Sequence, residues 1–555
     1  MKFDEVIVEL GEFGAYQKKI YLLICMAPFC FVMQILAGVF IQATPDHRCA
    51  LLNLPNDTYN SQGPWHDALI NASIPWSEED ESYEECKIRR EPSETGGDPV
   101  PCDKYVYKKD PFKSTFVTDM DLICDDKSLV TYASMILMCG MLFGSFILGI
   151  LSDIIGRRKV LILSNVCMMG ASLGVAWAES YTVFVIVRFV ISFFGTGIIL
   201  TAFVIGMEIV GPSKRRIAGN VSNFFWVSGI CVLTAIAYFL RDWRYLQIAI
   251  SVPPALSLLL FTAFLPESPR WLLQKGRTKE AMWIIQKIAE GNKVALSETA
   301  CQLDDVGKEG ETKSIWLVFK HKTLFIRTFI MFFNWLVTSM VYYGLSLNVG
   351  QFSGNIYLNS FLSAMAELLS YVFSLCVMDI VGRKFLLCTS MLLGGLACIA
   401  SMFPVLYGGD DIQWLRLFLS LIGKFGITVG FAVVYVYAVE LFPTVMRNSA
   451  LGLCSFTARI GGILAPYIGD LSGILAGDLG IALPLVIFGS LSITAGLLVL
   501  FLPETRNTKL PDTLDDVKKF GKLYSLSNSS IKLENIASVA CSGIDNRTFA
   551  FESKE

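Results

Sequence analysis

The chain has 555 residues, of which 53% are apolar and only 17% charged, with three histidines and a formal net charge of -3. With so weak a charge, and with Lys and Arg confined to short stretches between apolar runs, there is no basic footprint for nucleic acid, which is excluded as a partner. Length alone would suit several soluble domains, but repeated runs of about 20 apolar residues, each able to cross a hydrocarbon core of roughly 30 Å, point to an all-α polytopic protein of the lipid bilayer.

Residues 1–19 carry Asp4, Glu5, Glu9 and Glu12 before Lys18 and Lys19, and read as a cytoplasmic N-terminus rather than a cleavable signal. The first span follows, from residue 20 to about 44. Eleven more are expected at about 129–151, 160–178, 182–208, 218–239, 245–264, 325–347, 356–378, 385–404, 414–440, 450–472 and 481–502. Between the first two spans lies a long excursion, 45–128, which holds Cys49, Cys86, Cys102 and Cys124 and the sequons that begin at Asn56 and Asn71. This is the composition of an oxidising, glycosylated ectodomain; four cysteines allow three pairings, which sequence does not separate.

Basic groups fall in alternate connections: Lys18-Lys19, Arg157-Arg158-Lys159, Lys214-Arg215-Arg216, the 265–324 segment, Arg383-Lys384, Arg447 and the tail from 503. These connections are expected on the cytoplasmic side with both termini. Arg241 and Arg244, in a short outer turn, are the exception. The 265–324 linker mixes apolar and charged residues, as in Trp283-Ile284-Ile285-Gln286-Lys287, and suits short helices at the cytoplasmic face. The tail to residue 555, with Ser525, Ser527, Ser529 and Ser530, reads as largely disordered.

The chain repeats itself. Asp153-Ile154-Ile155-Gly156-Arg157 follows the second span and Asp379-Ile380-Val381-Gly382-Arg383 the eighth; Glu208 with Arg215 closes the fourth, and Glu440 with Arg447 the tenth. Pro266-Glu267-Ser268 follows the sixth span and Pro503-Glu504-Thr505 the twelfth. Two bundles of six helices, 20–264 and 325–502, would place these pairs at equivalent points. The glycine permits a tight turn, Asp153 could satisfy free N–H groups at a helix start, and Arg157 and Arg158 could pair with Glu208, which together make a breakable cytoplasmic gate.

With these repeats, Ala43-Thr44-Pro45-Asp46-His47-Arg48-Cys49, Arg241-Asp242-Trp243-Arg244, Gly423-Lys424-Phe425-Gly426 and Glu440-Leu441-Phe442-Pro443-Thr444 give a pattern that resembles the organic cation, organic anion and carnitine transporters of the major facilitator superfamily, solute carrier family 22. The resemblance implies a major facilitator fold of twelve transmembrane helices, and facilitated or secondary transport by alternating access at the plasma membrane. Sugar carriers share the Gly-Arg-Arg and Pro-Glu-Ser motifs but lack the large ectodomain, and usually carry a Gln-Gln pair where this chain has Phe332-Phe333-Asn334-Trp335.

An ionisable residue within a span is costly and marks function. Glu367 and Arg459 fall near the bilayer centre, while Lys424 is placed nearer the outer side. Glu367 matches the family's eighth-span Glu, with Leu369 where a Pro is usual. Arg459 stands where strict cation carriers tend to have Asp and anion and zwitterion carriers Arg. The resemblance therefore implies a small organic cation or zwitterion as substrate, with Trp226, Trp335, Tyr343 and Tyr435 lining the cavity beside these charges.

Polar sodium ligands of carnitine carriers have no counterpart at Phe31, Ile198 and Ile199, so a coupling ion, Na+ or H+, stays open. No phosphate-binding loop occurs. Neither a cofactor nor a metal site is expected, and no arrangement of nucleophile and base suggests an enzyme. An organic anion carrier built on Arg459 and Lys424, and a non-transporting receptor, are the competing readings.

Overall fold

The computed structural model describes residues 3–52, 54–77, 82–89, 98–297, 322–351, 354–408, 412–443, 447–471 and 478–506. Among them are 12 helices long and apolar enough to cross a membrane: Ala15–Ile41, Cys124–Ile155, Arg157–Val175, Tyr181–Ile209, Ile217–Phe239, Trp243–Phe264, Leu324–Gly350, Ile356–Val381, Arg383–Tyr407, Trp414–Leu441, Ser449–Gly469 and Ala482–Val499. They match the twelve expected spans in order. Among the described residues three of them are jointed, the ninth at Ser401 between Arg383–Ala400 and Met402–Tyr407. The first is built from Ala15–Ile24, Met26–Leu36 and Gly38–Ile41, with Pro28 lacking the N–H that would bond back across the joint. The sixth breaks at Ser251, just before Pro253 and Pro254.

Each half packs its six spans together, and the halves meet where the second span lies against the eleventh and the fifth against the eighth. The face that carries the described residues between 45 and 123 is called here the loop face, and the opposite one, with the Phe3–Glu9 helix, the terminal face. Toward the loop face the halves are bonded. Thr131 donates to Asp470, Thr234 and Ser360 share a hydroxyl bond of 3.0 Å, and Tyr357 stacks on Phe40 at 5.8 Å and meets Tyr238 edge-on at 5.5 Å. That side of the molecule is closed.

The excursion is a small folded layer. His47–Cys49 pairs antiparallel with Tyr105–Tyr107, and the disulfides are Cys49–Cys102 and Cys86–Cys124, one of the three pairings left open by sequence. At its centre the Arg48 guanidinium forks onto Asp57 at 2.6 and 3.0 Å, and Asp57 also accepts from the Leu51 N–H and from His66. Burial opposes ionisation of Asp57, but the hydrogen bonds from Arg48, Leu51 and His66 outweigh it and hold the carboxyl below its ordinary value. Asn56 and Asn71 are both exposed.

The two arginines that break the charge alternation are tied to this layer. Arg241 pairs with Asp110 at 3.0 Å and Arg244 with Asp119 at 3.0 Å, while the Trp243 indole donates to the same Asp119 carboxylate. Their charge is spent on local carboxylates, so it does not act as a free topological signal.

On the terminal face, the N-terminal stretch forms a helix, Phe3–Glu9, which buries Phe3, Val6 and Ile7, together with Leu10 just beyond its end, against Leu272, Ile284, Ile285 and Ile288 of the linker helices Pro269–Gln274 and Thr278–Asn292. The apolar run Trp283-Ile284-Ile285 therefore alternates between an exposed Trp283 and two buried isoleucines. Residues 298–321 of the linker, residues 507–555 of the tail with their serines, and the Arg447 side chain lie outside the described residues.

Candidate functional site

The central polar group is built by four spans. Glu367 on the eighth is fully enclosed; one carboxylate oxygen accepts from the Tyr342 hydroxyl at 2.8 Å and the Tyr371 hydroxyl at 3.4 Å, and the other lies 3.4 Å from the ammonium of Lys424 on the tenth. Lys424, 3% exposed, also donates to the Ser346 hydroxyl and sits 3.6 Å from the centre of the Tyr342 ring. Lys424 is thus brought to Glu367 rather than set apart toward the outer side, and it is the partner that Glu367 uses. Tyr342 in turn accepts from the Trp226 indole at 3.0 Å, so this bond joins the fifth span of one half to the seventh of the other.

Arg459 stands differently. It is only half-buried, its side chain hydrogen-bonds with the Tyr343 hydroxyl, its Nε has no partner, and among the described residues no carboxylate pairs with it. Tyr435 lies within its electrostatic reach and is 38% exposed. Around these charges runs a chain of rings: Phe31 against Trp226, Tyr342 against Phe431, Phe431 against Tyr435 and Tyr435 against Trp335 at 4.3 Å. Of the four aromatics expected to line the cavity, Trp226 and Tyr435 are partly open. Trp335 and Tyr343, at 1% and 4% exposed, stand behind as backing for Tyr435 and Arg459.

The repeated motifs form the same object twice on the terminal face. After the second span, Gly156 turns with φ of 109° and the new helix start is capped by Glu267, which accepts from the Arg158 N–H at 3.0 Å. After the eighth, Gly382 turns with φ of 99° and Glu504 accepts from the N–H groups of Arg383 at 3.0 Å and Lys384 at 3.1 Å. The neighbouring hydroxyls complete each copy: Ser268 donates to Glu208, and Thr505 to Glu440 at 2.6 Å. Arg157 pairs with Asp153 at 2.9 Å and approaches Glu208 at 3.7 Å; Arg383 pairs with Asp379 at 3.3 Å and Glu440 at 3.1 Å.

Several expected roles change hands here. Asp153 does not cap the next helix: the positive-φ turn at Gly156 carries that helix start toward the end of the sixth span, where Glu267 is waiting, and leaves Asp153 for Arg157. The Arg158 guanidinium bonds the Thr262 carbonyl at 2.9 Å rather than Glu208. Arg215 caps the fourth helix through the carbonyls of Met207 and Val210 and pairs with Asp4 of the N-terminal helix at 2.8 Å. The repeat of Pro-Glu-Ser and Pro-Glu-Thr was the signal for the two caps, since a lone acid just past a span has no reason to recur without a partner.

A sequence profile described as "Sugar (and other) transporter" matches residues 68–513. The chain is 37% identical over 540 residues to the "Organic cation transporter protein" of Drosophila melanogaster, covering 94% of this chain and 95% of the relative. It is 34% identical to "Solute carrier family 22 member 21" of Mus musculus, with 96% of each chain covered. The chain belongs to solute carrier family 22.

Another relative is the "Organic cation/carnitine transporter 2" of Homo sapiens, at 33% identity over 93% of this chain and 94% of that one. Among solved structures, the xylose transporter XylE from E. coli, in a partially occluded inward open conformation, aligns with a TM-score of 0.61 at 18% identity over 89% of this chain and 100% of its own. This member of the solute carriers thus has the major facilitator fold and is a multi-pass membrane transporter, not an enzyme. The xylose carrier shares its architecture at an identity too low to say more.

Proposed function

We propose that this carrier moves small organic cations or zwitterions across the plasma membrane by alternating access, and that zwitterions bearing a carboxylate are its better substrates. The observation that carries this reading is the unequal state of the two central charges. Glu367 is already neutralised by Lys424 and two tyrosine hydroxyls, whereas Arg459 has one phenol for a partner and a half-open side chain. A substrate carboxylate on Arg459 would supply the counter-charge, and its ammonium would lie against Tyr435, Phe431 and Trp226, each ring face contributing about 0.5–2 kcal/mol. The names of the organic cation and organic cation/carnitine relatives support the substrate class.

In this reading the loop face is extracellular, the disulfide-linked layer carries glycans at Asn56 and Asn71, and both termini are cytoplasmic. The twin latches hold the terminal ends of each half together while the halves rock, with Trp226 to Tyr342 as a bond that the cycle breaks and remakes. A neutral zwitterion gains nothing from the membrane potential, so net accumulation needs a coupled Na+ or H+ or its own gradient.

The anion reading remains the second one, because among the described residues no carboxylate pairs with Arg459. Cells expressing the protein, and cells expressing Glu367→Gln or Arg459→Asp at matched surface level, are given a metabolite extract, and uptake is read by mass spectrometry. Enrichment of betaine-like compounds or amines supports the proposal. Enrichment of carboxylates or sulfates without an ammonium replaces it with the anion reading, and no enrichment of any compound supports a receptor.

A further inference from the structure

At the outer edge of the loop-face layer, two aromatic rings gather around a sequon. Asn71 is exposed in the helix Pro64–Ser73, and its side-chain carbonyl accepts from the Tyr83 hydroxyl. Tyr83 pairs across a short hairpin with Trp76, whose ring it meets edge-on at 4.9 Å. Tyr83 also packs on the small cluster of Leu51, Ile70 and Ile74, while Trp76 is 54% exposed. A single exposed tryptophan on a surface asks for no explanation. Here it stands next to the acceptor residue of a sequon, joined to it through Tyr83.

The chemistry of the three residues is complementary. A glycan is attached to Asn71 through Nδ2 and leaves Oδ1 as an acceptor, so the bond from Tyr83 and the sugar can coexist. The first pyranose ring has an apolar face of C–H groups, which covers an indole as another flat apolar group would, while its hydroxyls stay in water. Ser73, the third residue of the sequon, is buried, and its carbonyl accepts from the Arg89 N–H at 2.7 Å. The sugar must therefore be added before this layer closes, and the hairpin folds against a sugar already in place.

We propose that Trp76 and Tyr83 form an intramolecular seat for the N-glycan of Asn71, with the innermost N-acetylglucosamine lying on the Trp76 ring. This rests on the reading of the loop face as extracellular. The seated sugar covers the apolar edge of the layer and fixes the Trp76–Tyr83 hairpin to the helix that carries Asn71.

The test uses the purified full-length protein with Asn56→Gln as parent, which leaves Asn71 as the sequon of the loop-face layer. Mass spectrometry of the Asn71 peptide establishes that a glycan is attached, and its release by peptide-N-glycosidase is then timed on the folded protein. A seated glycan is open to the enzyme only for the fraction of time it spends off the ring. Trp76→Ala is therefore expected to speed release roughly threefold to tenfold. Trp76→Tyr keeps a ring and should stay near the parent rate, and denaturation should abolish every difference. Equal rates in the folded parent and in Trp76→Ala overturn the seat while leaving the glycan in place. So does an equal acceleration by Trp65→Ala, which removes the exposed tryptophan at the start of the same helix. A bare Asn71 in the parent removes the glycan reading itself, and the seat with it.

Discussion

Lys424 and Glu367 face each other at 3.4 Å inside the C-terminal half, both almost wholly enclosed, with the Tyr342 hydroxyl and ring wedged between them and the other half. Two opposite charges in this setting gain little net stability from each other, but each is very unfavourable alone, because breaking one buried pair leaves a charge costing about 3–5 kcal/mol.

Glu367→Gln and Lys424→Gln are therefore each expected to lower the yield of monodisperse protein strongly, while the double variant recovers most of it. The coupling between the two sites should be about 1–3 kcal/mol of thermal stability, read by fluorescence-detected size exclusion after heating. Additive losses would mean that the two groups do not act as a pair. Transport should not return in the double variant, since Tyr342 then loses the ionised acceptor that positions it under Trp226.

The two turn glycines allow a sharper test of the latches. A Cβ at Gly156 would sit 2.5 Å from a Glu267 carboxylate oxygen, and one at Gly382 would sit 2.7 Å from Glu504, and both positions have positive φ. Gly156→Ala and Gly382→Ala should each displace the capping acid and cost about 1–3 kcal/mol from strain plus the lost cap. Similar losses in the two halves, measured as melting temperature, are the signature of one device used twice. A tolerated alanine in either half would separate the copies.

Acid should act on the loop-face layer through Asp57. Its carboxyl is held below the ordinary 3.8, so its contribution to stability is complete above that value and is lost as pH falls through the lower folded value. Melting of the unaltered protein is expected to drop steeply only below about pH 4, and Asp57→Asn, which keeps the sequon at Asn56, should melt lower at neutral pH and show a shallower acid slope. An identical slope in both proteins would show that other carboxylates carry the acid transition.

The repeat, the spans and the central acid could be read from sequence because each leaves a local trace: an apolar run of membrane length, a motif at a helix end, an ionisable residue where none is tolerated idly. What sequence hides is pairing across elements. Lys424 and Glu367 are 57 positions apart, and nothing local says that the tenth span turns its lysine toward the eighth. By expected depth in the bilayer Arg459, and not Lys424, was the better partner. The same holds for Asp153 and Glu267, where the local acid yields the cap to one brought by another span, and for Trp335 and Tyr343, whose helices are apolar on every face so that periodicity gives no cavity side. Arg241 and Arg244 broke the charge rule for a reason visible only when Asp110 and Asp119 were found against them.

Arg459 gives the most direct test of the substrate's charge. If a carboxylate docks there, Arg459→Asp removes a charged hydrogen-bond donor and adds repulsion, a change of about 1.5–3 kcal/mol or more, so uptake of a betaine should fall roughly 10- to 100-fold. The same substitution should raise uptake of a tetraalkylammonium cation, which then finds a free carboxylate beside Tyr435. The driving force should change with the substrate. In sodium-free medium, uptake of the neutral betaine by the unaltered protein is expected to be flat across potassium diffusion potentials. Steady-state cation accumulation by Arg459→Asp should instead rise about tenfold for each 60 mV, the equilibrium limit for one transported charge at about 2.3 kcal/mol per 100 mV. Betaine uptake that survives Arg459→Asp undiminished would move the carboxylate elsewhere, with Lys424 as the next cation to examine; betaine uptake that follows the potential without sodium would show that a proton travels with it.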